Sequence, residues 1–371
     1  MTHIILPPAT IGIIGGGQLG RMMALAAKPM GYTVIVLDPT PQSPAGQVAD
    51  DQIIASYDDV SALKNLASRS DVLTYEFENV DRDVLKKYAS KILPQGVDLL
   101  RITSDRIAEK TFIRDEAGVP VASFQIIESA EQLKTGTTPS ILKTVSGGYD
   151  GHGQWQLNTP FEASQLVDNF PGGRLILETL VNFKQEVSIM VARSSDGHIT
   201  TWPIAENVHH NHILKYTTVP AKISSTLSKK IIEIAHKIAE KINLLGILGI
   251  ELFVNDEEVW VNELAPRPHN SGHFTIEAAN VSQFEGHIRS VVGLPLPEIT
   301  LTQSATMLNL LGDELTQAKA DFKNHPEWHF HDYGKATIKA DRKMGHITVL
   351  GDENGQALIA WGKQHEQRNR L

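Results

Sequence analysis

The sequence predicts an α/β chain that begins with a parallel-sheet domain and continues into α+β structure. Residues 10–100 alternate short apolar runs with helical patterns, which is typical of βαβ units. After Ser104 the alternation gives way to short strands and helices, and Pro295 and Pro297 precede a smaller final unit. We therefore predict domains at residues 1–103, 104–296 and 297–371, with a small lobe at about 120–180.

Composition excludes several classes of protein. The 371 residues suffice for two or three domains, and the net charge of −9 argues against nucleic acid as a partner. Zero cysteines exclude disulfides, thiol nucleophiles and thiolate metal sites, which is typical of a cytoplasmic protein. We find neither a signal peptide nor an apolar run of about 18 residues, so no membrane partner is expected.

The N-terminal alternation contains a glycine fingerprint. Gly15–Gly20 matches G-x-G-x-x-G between the strand Ile11–Ile14 and the helix Gln18–Met30, and Asp38 ends the next strand. Taken alone, this pattern indicates a Rossmann-like dinucleotide site. The same glycines serve any tight strand-to-helix turn, so the pattern is weak and NAD is not expected. The alternation continues with Thr33–Leu37, Val60–Ala67, Val72–Thr74 and Arg82–Ala89.

The middle of the chain is predicted to be α+β. Ser104 or Asp105 could cap a helix that runs to Ala117. The remaining predicted elements are strands at Phe124–Ile127, Ile141–Thr144 and Glu186–Arg193, helices at Phe161–Asn169 and Ser224–Ile242, and a hairpin of Gly249–Val254 with Val259–Leu264.

A glycine-rich loop follows the strand that carries Lys143. Between Lys143 and Gln154, four glycines alternate with Tyr149, Asp150 and His152. Such a backbone can approach phosphates closely, and Lys143 would be aimed at the same anion. The alternative is a plain hairpin turn, which would leave Tyr149 and Asp150 unexplained.

Two glutamates in the predicted hairpin indicate a cation. Glu251 lies two residues before Phe253, and Glu263 lies two residues after Val261, so we expect both carboxylates on one face. Magnesium held by these carboxylates and substrate phosphates would relieve their repulsion, with Asn262 nearby. The alternative is a solvated hairpin face.

Two further segments gather donors and cations. The proline-stiffened stretch after Glu263 presents Arg267, His269, Asn270 and His273, a combination suited to a small oxyanion; zinc is a weaker alternative. Residues 334–346 contain Lys335 and Arg342 among four cations, which indicates a second phosphate site or a solubilising loop.

These residues together resemble a known family. Lys143, the 147–154 loop, Glu178, Glu186, Glu251 and Asn262-Glu263 are similar to the ATP-grasp superfamily. More narrowly, four segments resemble the N5-carboxyaminoimidazole ribonucleotide synthase family of purine biosynthesis, the ATPase subunit of phosphoribosylaminoimidazole carboxylase. They are Gly12–Met22, Thr74–Val80, Asn262–His273 and Arg342–His346, and the match spans residues 10–350 in order.

The resemblance implies an ATP-grasp fold and an ATP-dependent carbon–nitrogen ligase. Such an enzyme would carboxylate 5-aminoimidazole ribonucleotide with bicarbonate through carboxyphosphate, using ATP and Mg²⁺, with Mn²⁺ as the alternative metal, as a homodimer. It implies nucleotide-binding roles for Arg106, Lys143, Gly148, Tyr149, Asp150, Gly151, His152, Gly153, Gln154, Glu178, Thr179, Leu180, Val181, Glu186, His209, Asn262 and Glu263.

The other implied roles concern metal, substrate and chemistry. Glu251 and Glu263 would bind the metal, while Arg267, His269 and Asn270 would hold bicarbonate or carboxyphosphate. For the ribonucleotide the resemblance implies Glu76, Tyr149, Asp150, Lys335 and Arg342, with Asp150 accepting the amine proton.

The sequence departs from the family pattern at two places. His152 stands where the family commonly has Lys or Arg, and Lys339-Ala340-Asp341 stands where it often has Arg-Pro-Gly.

Several rivals remain open from the sequence. A formate-dependent glycinamide ribonucleotide transformylase or a biotin carboxylase would share the fold, the loop and the metal carboxylates. An NAD(P)-dependent oxidoreductase would rest on Gly15–Gly20 and Asp38 alone. A non-catalytic nucleotide-binding module would lack Glu251 and Glu263, which are present.

Overall fold

The computed structural model describes residues 4–78, 80–147, 153–167, 170 and 172–368. Within these residues the strands form three sheets, of four, nine and four strands. No helix in the described part of the chain is both long and apolar enough to cross a membrane.

The N-terminal sheet is parallel, as the alternating pattern predicted. Its strands are β1 (Thr10–Ile14), β2 (Thr33–Leu37), β3 (Asp51–Ile53) and β4 (Val72–Tyr75), in the order β3-β2-β1-β4. The helices of this part are α1 (Gln18–Ala27), α2 (Val60–Ser68), α3 (Arg82–Tyr88) and α4 (Asp98–Thr103). Apolar clusters cover both faces of the sheet, which is why its strands read as continuous apolar runs.

The small lobe contains an antiparallel four-stranded sheet. Asp105 caps α5 (Arg106–Thr111) by accepting from two backbone N–H groups, and the helix continues as a π-helical turn, Phe112–Glu116. The lobe then comprises β5 (Phe124–Ile127), α6 (Ala130–Lys134), β6 (Ser140–Thr144), β7 (Gln154–Leu157), α7 (Pro160–Val167) and β8 (Leu175–Thr179). The strand order β5-β8-β6-β7 makes β8 and β6 neighbours.

The large sheet begins in the middle of the chain. Its first strands are β9 (Gln185–Arg193), β10 (Ile199–Thr201), β11 (Ala205–His210) and β12 (Ile213–Val219), which precede α8 (Ser225–Lys241). They are followed by β13 (Gly246–Asn255), β14 (Glu258–Ala265), α9 (Thr275–Ala278) and α10 (Gln283–Val291). A large apolar cluster lies between this sheet and α8, so the face opposite this core is available for a site.

The C-terminal strands continue the same sheet. They are β15 (Ala305–Leu311), β16 (His329–Asp332) and β17 (Lys343–Leu350), with α11 (Glu314–Asp321) and α12 (Asp352–Arg368) packed beside them. The strand order β14-β13-β9-β11-β12-β15-β17-β16 places β15 against β12. The Gln47 side chain also donates to the Gly334 carbonyl at 2.7 Å, so the C-terminal segment reaches back to the N-terminal sheet.

A buried polar chain joins the N-terminal sheet to the segment after β14. The Ile247 N–H donates to His287 Nδ1 at 3.2 Å, which leaves Nε2 of this ring to donate to the Thr74 hydroxyl at 2.7 Å. Thr74 donates to Gln95, whose amide nitrogen donates to the Pro266 carbonyl at 3.1 Å. Burial lowers the pKa of His287 to about 3, so the ring stays neutral and this direction is kept.

Candidate active site

Two lysines share one glutamate where the small lobe meets the large sheet. Nζ of Lys143, on β6, lies 3.0 Å from Oε2 of Glu178, on β8, and Nζ of Lys110 lies 3.4 Å from the same oxygen. All three side chains are buried. Burial raises the pKa of Glu178, but the two lysines outweigh it and the pKa is lowered overall. Lys143, predicted to serve a phosphate, thus lies in a compact charged cluster.

The predicted nucleotide-binding residues 178–181 lie at the end of β8 and directly after it. The N–H of Thr179 donates to the Ser123 carbonyl at 2.8 Å, and the N–H of Leu180 donates to the Pro139 carbonyl at 3.0 Å. These two N–H groups are therefore already paired inside the protein. A base bound here would have to use other backbone groups, including those of Val181.

Glu186 and His209 lie together on neighbouring strands. Nδ1 of His209 is 2.7 Å from Oε2 of Glu186, and this carboxylate raises the pKa of the ring against the opposing effect of burial. Glu186 also lines a small cleft together with Glu251 and Asn262. Glu186 and Asn262, which were predicted to bind the nucleotide, thus lie beside the predicted metal ligand Glu251.

The two hairpin glutamates face each other because of a β-bulge. From the turn, β13 and β14 pair regularly as far as Leu252 with Val261, and the register then shifts so that Glu251 pairs with Glu263. Unbroken pairing would have placed Glu251 opposite Asn262. The predicted shared face is confirmed, but the alternation argument for it was wrong, because the extra residue at the bulge moves Glu263 across from Glu251.

Charges around this pair are unevenly balanced. His269 Nε2 lies 3.2 Å from Glu251, and although burial acts in the opposite direction, the histidine holds the pKa of Glu251 below its ordinary value. Burial and the charge of Glu251 raise the pKa of Glu263, and Arg106, 3.7 Å away, opposes them. The donor set is two carboxylates with an amide beside them, which suits a hard cation completed by phosphate oxygens. No three acidic, histidine or cysteine side chains among the described residues are grouped to hold a metal on their own, as a zinc site would require.

Side chains without a predicted role restrain the oxyanion segment, residues 264–273, which was predicted to hold a small oxyanion. Arg267 Nε lies 2.9 Å from a carboxylate oxygen of Glu78. Nδ1 of His269 lies 2.8 Å from the Ser271 hydroxyl, which in turn contacts the Ser188 hydroxyl at 2.7 Å. The Ser271 N–H also donates to Nδ1 at 3.4 Å, so the histidine proton is on Nε2, directed toward Glu251.

The glycine fingerprint serves a carboxylate of the chain itself. Glu76, which follows β4, accepts hydrogen bonds from the N–H groups of Gly17 and Gly20 at the start of α1. Asp38 accepts from the Gly16 N–H at 2.8 Å. The helix N-terminus and the acidic residue that a dinucleotide would use are thus engaged in internal hydrogen bonds.

Lys335 is a predicted phosphate-binding cation from the C-terminal part of the chain. Lys335 Nζ donates to the Lys343 carbonyl at 2.6 Å and is within electrostatic range of Glu76 and Arg342. Burial, assisted by Arg342, lowers the pKa of Lys335 to about 7, with Glu76 opposing. Lys335 thus lies within electrostatic range of two other residues that were predicted to bind the ribonucleotide, Glu76 and Arg342.

Part of the glycine-rich loop lies outside the described residues. This applies to Gly148, Tyr149, Asp150, Gly151 and His152. At the described end, Gln154 pairs with Lys143 across β6 and β7, and Gly153 has φ +71°, a conformation that favours glycine. The loop is therefore the connection of a hairpin that carries Lys143 in one of its strands.

The sequence interpretation missed three residues of this region. Lys110 was missed because it lies within an ordinary helical pattern, and the only signal was its helical spacing of four residues from Arg106. Glu109, on the same helix, was missed as well. Burial and the charge of Glu263 raise its pKa to about 8. Glu78 was quoted within a motif without a role, and it also lines a cavity of about 490 Å³ beside Ser146.

Three family models match the chain in order. They describe a ribonucleotide synthetase preATP-grasp domain over residues 8–101, an ATP-grasp domain over residues 113–284, and a phosphoribosylaminoimidazole carboxylase C-terminal domain over residues 305–359. An N5-carboxyaminoimidazole ribonucleotide synthase of Bacillus subtilis (strain 168) is 48% identical over 356 residues, covering 94% of this chain and 93% of that protein. The chain belongs to the N5-carboxyaminoimidazole ribonucleotide synthase family.

Solved structures agree with this membership. The Staphylococcus aureus N5-carboxyaminoimidazole synthetase complexed with ADP has a TM-score of 0.92 and 42% identity, covering 97% of this chain and 99% of that one. The Aspergillus clavatus synthase in complex with ADP and 5-aminoimidazole ribonucleotide has a TM-score of 0.88 and 29% identity, covering 97% and 99%. The family is one of ATP-grasp ligases, and the predicted fold class is confirmed.

Proposed function

We propose that this synthase uses ATP and bicarbonate to carboxylate the exocyclic amine of 5-aminoimidazole ribonucleotide, giving N5-carboxyaminoimidazole ribonucleotide, ADP and phosphate. Its membership of the synthase family supports the overall reaction. The observation that carries the proposal is the facing pair Glu251 and Glu263 beside the donor segment that holds Arg267 and His269. This arrangement suits phosphoryl transfer to a small oxyanion.

The reaction needs two bond-forming steps. A bicarbonate oxygen attacks the γ-phosphorus of ATP, ADP leaves, and the resulting carboxyphosphate breaks down to CO₂ and phosphate beside the amine. The amine nitrogen then bonds to the CO₂ carbon and loses a proton, which Asp150 accepts. Lys143 with Arg106 neutralises the nucleotide phosphates, while Arg267, His269 and Asn270 hold bicarbonate and carboxyphosphate.

Magnesium fits the residues present, with Glu251 and Glu263 as its ligands. When bound, it would neutralise the phosphate charge that develops during transfer. The raised pKa of Glu263 supports a cation here, because Arg106 and His269 offset only part of the cost of holding the two carboxylates together.

Assembly and location are further parts of the proposal. The resemblance implies a homodimer, which sedimentation of the purified chain would test against a monomer. The lack of cysteine supports a cytoplasmic location, and fractionation of the source cells would test it.

The decisive experiment is ADP release from the purified enzyme with ATP, Mg²⁺, bicarbonate and 5-aminoimidazole ribonucleotide. We expect ADP release to require both bicarbonate and the ribonucleotide, and ¹³C from bicarbonate to appear in the product carbamate. ADP release at the same rate with and without the ribonucleotide would refute the assignment. Activity with formate and glycinamide ribonucleotide instead would favour the transformylase.

Asp150→Asn tests the proposed proton acceptor. An amide cannot accept the amine proton, so we expect carboxylation to fall about a hundredfold or more while the KM for ATP changes little. The rates of product and ADP formation are measured separately, because carboxyphosphate can still form and decompose. Normal carboxylation by this variant would contradict the role of Asp150.

The half-buried Lys335 predicts a pH dependence of substrate binding. Its pKa of about 7 means that the ammonium loses its proton as pH rises through this value. We expect the KM for the ribonucleotide to increase about tenfold between pH about 6.5 and 8.5, where its phosphate is mainly a dianion. Lys335→Met should bind weakly at every pH and show little dependence; a flat profile for the native enzyme would exclude Lys335 from the phosphate site.

A further inference from the structure

Asn309 is a fully buried asparagine of β15, and its side chain reaches the predicted oxyanion segment. Its Nδ2 donates to the Leu214 carbonyl at 2.9 Å and to Asn270 Oδ1 at 2.6 Å. In return, Asn270 Nδ2 donates to Asn309 Oδ1 at 3.0 Å. The two carboxamides thus form a reciprocal pair.

The Leu214 carbonyl determines the orientation of both amides. A carbonyl oxygen only accepts hydrogen bonds, so the Asn309 group that faces it must be Nδ2 and not Oδ1. Oδ1 of Asn309 is then the atom that faces Asn270, and it can be satisfied only by the Asn270 amide nitrogen. This excludes the flipped arrangement of Asn270 and leaves one hydrogen of its Nδ2 for another acceptor.

Asn309 lies in a strand that is paired on both sides, with β12 and with β17. Leu308 pairs with Tyr216 between β15 and β12, and Asn309 pairs with His346 of β17. Beside Leu214, Lys215 forms a buried ion pair with Glu314 of α11 at 2.5 Å. Asn309 therefore cannot follow a movement of Asn270 without disturbing the large sheet.

We propose that Asn309 is a positioning residue of the carboxylation reaction, which holds the Asn270 amide so that an N–H donor is available to bicarbonate or carboxyphosphate. This rests on the proposed function, in which Asn270 contacts the oxyanion. A flipped amide would offer its oxygen where the hydrogen now lies, and an oxygen repels an anion. Strand β15 thereby contributes to the active site through the Asn309 side chain.

Asn309→Leu removes all three amide hydrogen bonds with a side chain of similar size. In bicarbonate-depleted buffer, we expect kcat/KM for bicarbonate to fall about tenfold to a hundredfold, while the KM for ATP stays within about twofold. Asn354→Leu is the matched control, because the exposed Asn354 also donates its amide to a backbone carbonyl, that of Leu350. This control should keep native kinetics.

A double-mutant cycle distinguishes positioning from general damage. If Asn309 acts through Asn270, adding Asn309→Leu to Asn270→Ala should lower kcat/KM for bicarbonate no further. Additive losses, or unchanged bicarbonate kinetics in Asn309→Leu, would overturn the inference. Should Asn309→Leu fold poorly, Asn309→Ser is subjected to the same cycle and judged by the same outcomes.

Assays of ADP release by the native enzyme distinguish a failure of this inference from a failure of the proposed function. Native ADP release that requires bicarbonate, combined with normal kinetics in the Asn309 variants, would refute the inference alone. Native ADP release that does not require bicarbonate would refute both.

Discussion

Replacing Glu263 with glutamine is expected to lower carboxylation about a thousandfold while making the ligand-free enzyme slightly more stable. The loss follows from removal of one of the two proposed metal ligands. The gain follows because burial and Glu251 raise the pKa of Glu263, so that its ionised form at neutral pH opposes folding. Because the Glu263 side chain is 42% exposed, solvent screens much of this effect, and we expect the melting temperature without ligand to rise by about 1 °C.

Two measurements make this prediction specific to a metal site. In the native enzyme, Mg²⁺ together with ADP should raise the melting temperature more than ADP alone, and Glu263→Gln should lose this difference. Glu258→Gln is the control, because Glu258 is an exposed residue at the start of the same strand. If Glu263→Gln keeps a tenth or more of native activity, Glu263 does not hold an essential cation.

Replacing Glu178 with glutamine is expected to cause the largest loss of stability. The substitution leaves the buried cations Lys110 and Lys143 without their shared counter-charge. Breaking a buried ion pair by removal of one partner costs about 3 to 5 kcal/mol, which should appear as a lower urea midpoint. ATP should restore part of this stability, because its phosphates would bring negative charge to Lys143.

The matched control is Glu131→Gln, whose exposed pair with Lys134 should contribute less than about 0.5 kcal/mol. Adding Lys110→Met to Glu178→Gln should cost less than the two single losses together, since one uncompensated charge is removed. The lowered pKa of Glu178 gives the sign of the pH dependence. Its contribution is complete above the ordinary value of 4.5 and is lost as pH falls through the lower folded-state value. An unchanged urea midpoint for Glu178→Gln would show that the cluster does not stabilise the fold.

The elements with strong local patterns were predicted correctly. The parallel N-terminal sheet, the long helix α8 and the β13–β14 hairpin all follow from periodicity that their burial explains. The three-residue strand β3 was missed, since Asp51-Gln52-Ile53 is too short to show any pattern. The domain boundaries after residues 103 and 296 stay predictions, as do the roles of the individual site residues.

The candidate site was predicted in its residue types but not in its contacts. Lys143, Glu251 and Glu263 stand out in the sequence because phosphate binding needs a cation and a magnesium site needs carboxylates, whereas Glu178 was implied by the resemblance alone. Lys110 did not stand out, because nothing local distinguishes a helical lysine that reaches a buried glutamate 68 positions away from one that points into solvent.

By itself, the sequence determined the family, the order of the domains and the residue types of the candidate site, because these depend on residue types and on periodicities within single elements. Only the tertiary structure decided which atoms meet. The bulge pairs Glu263 with Glu251, Glu76 accepts hydrogen bonds from the glycine turn, and Asn309 exchanges hydrogen bonds with the side-chain amide of Asn270. Each of these contacts depends either on strand register or on the approach of segments that are far apart in the chain. No single local sequence pattern encodes the register or the approach.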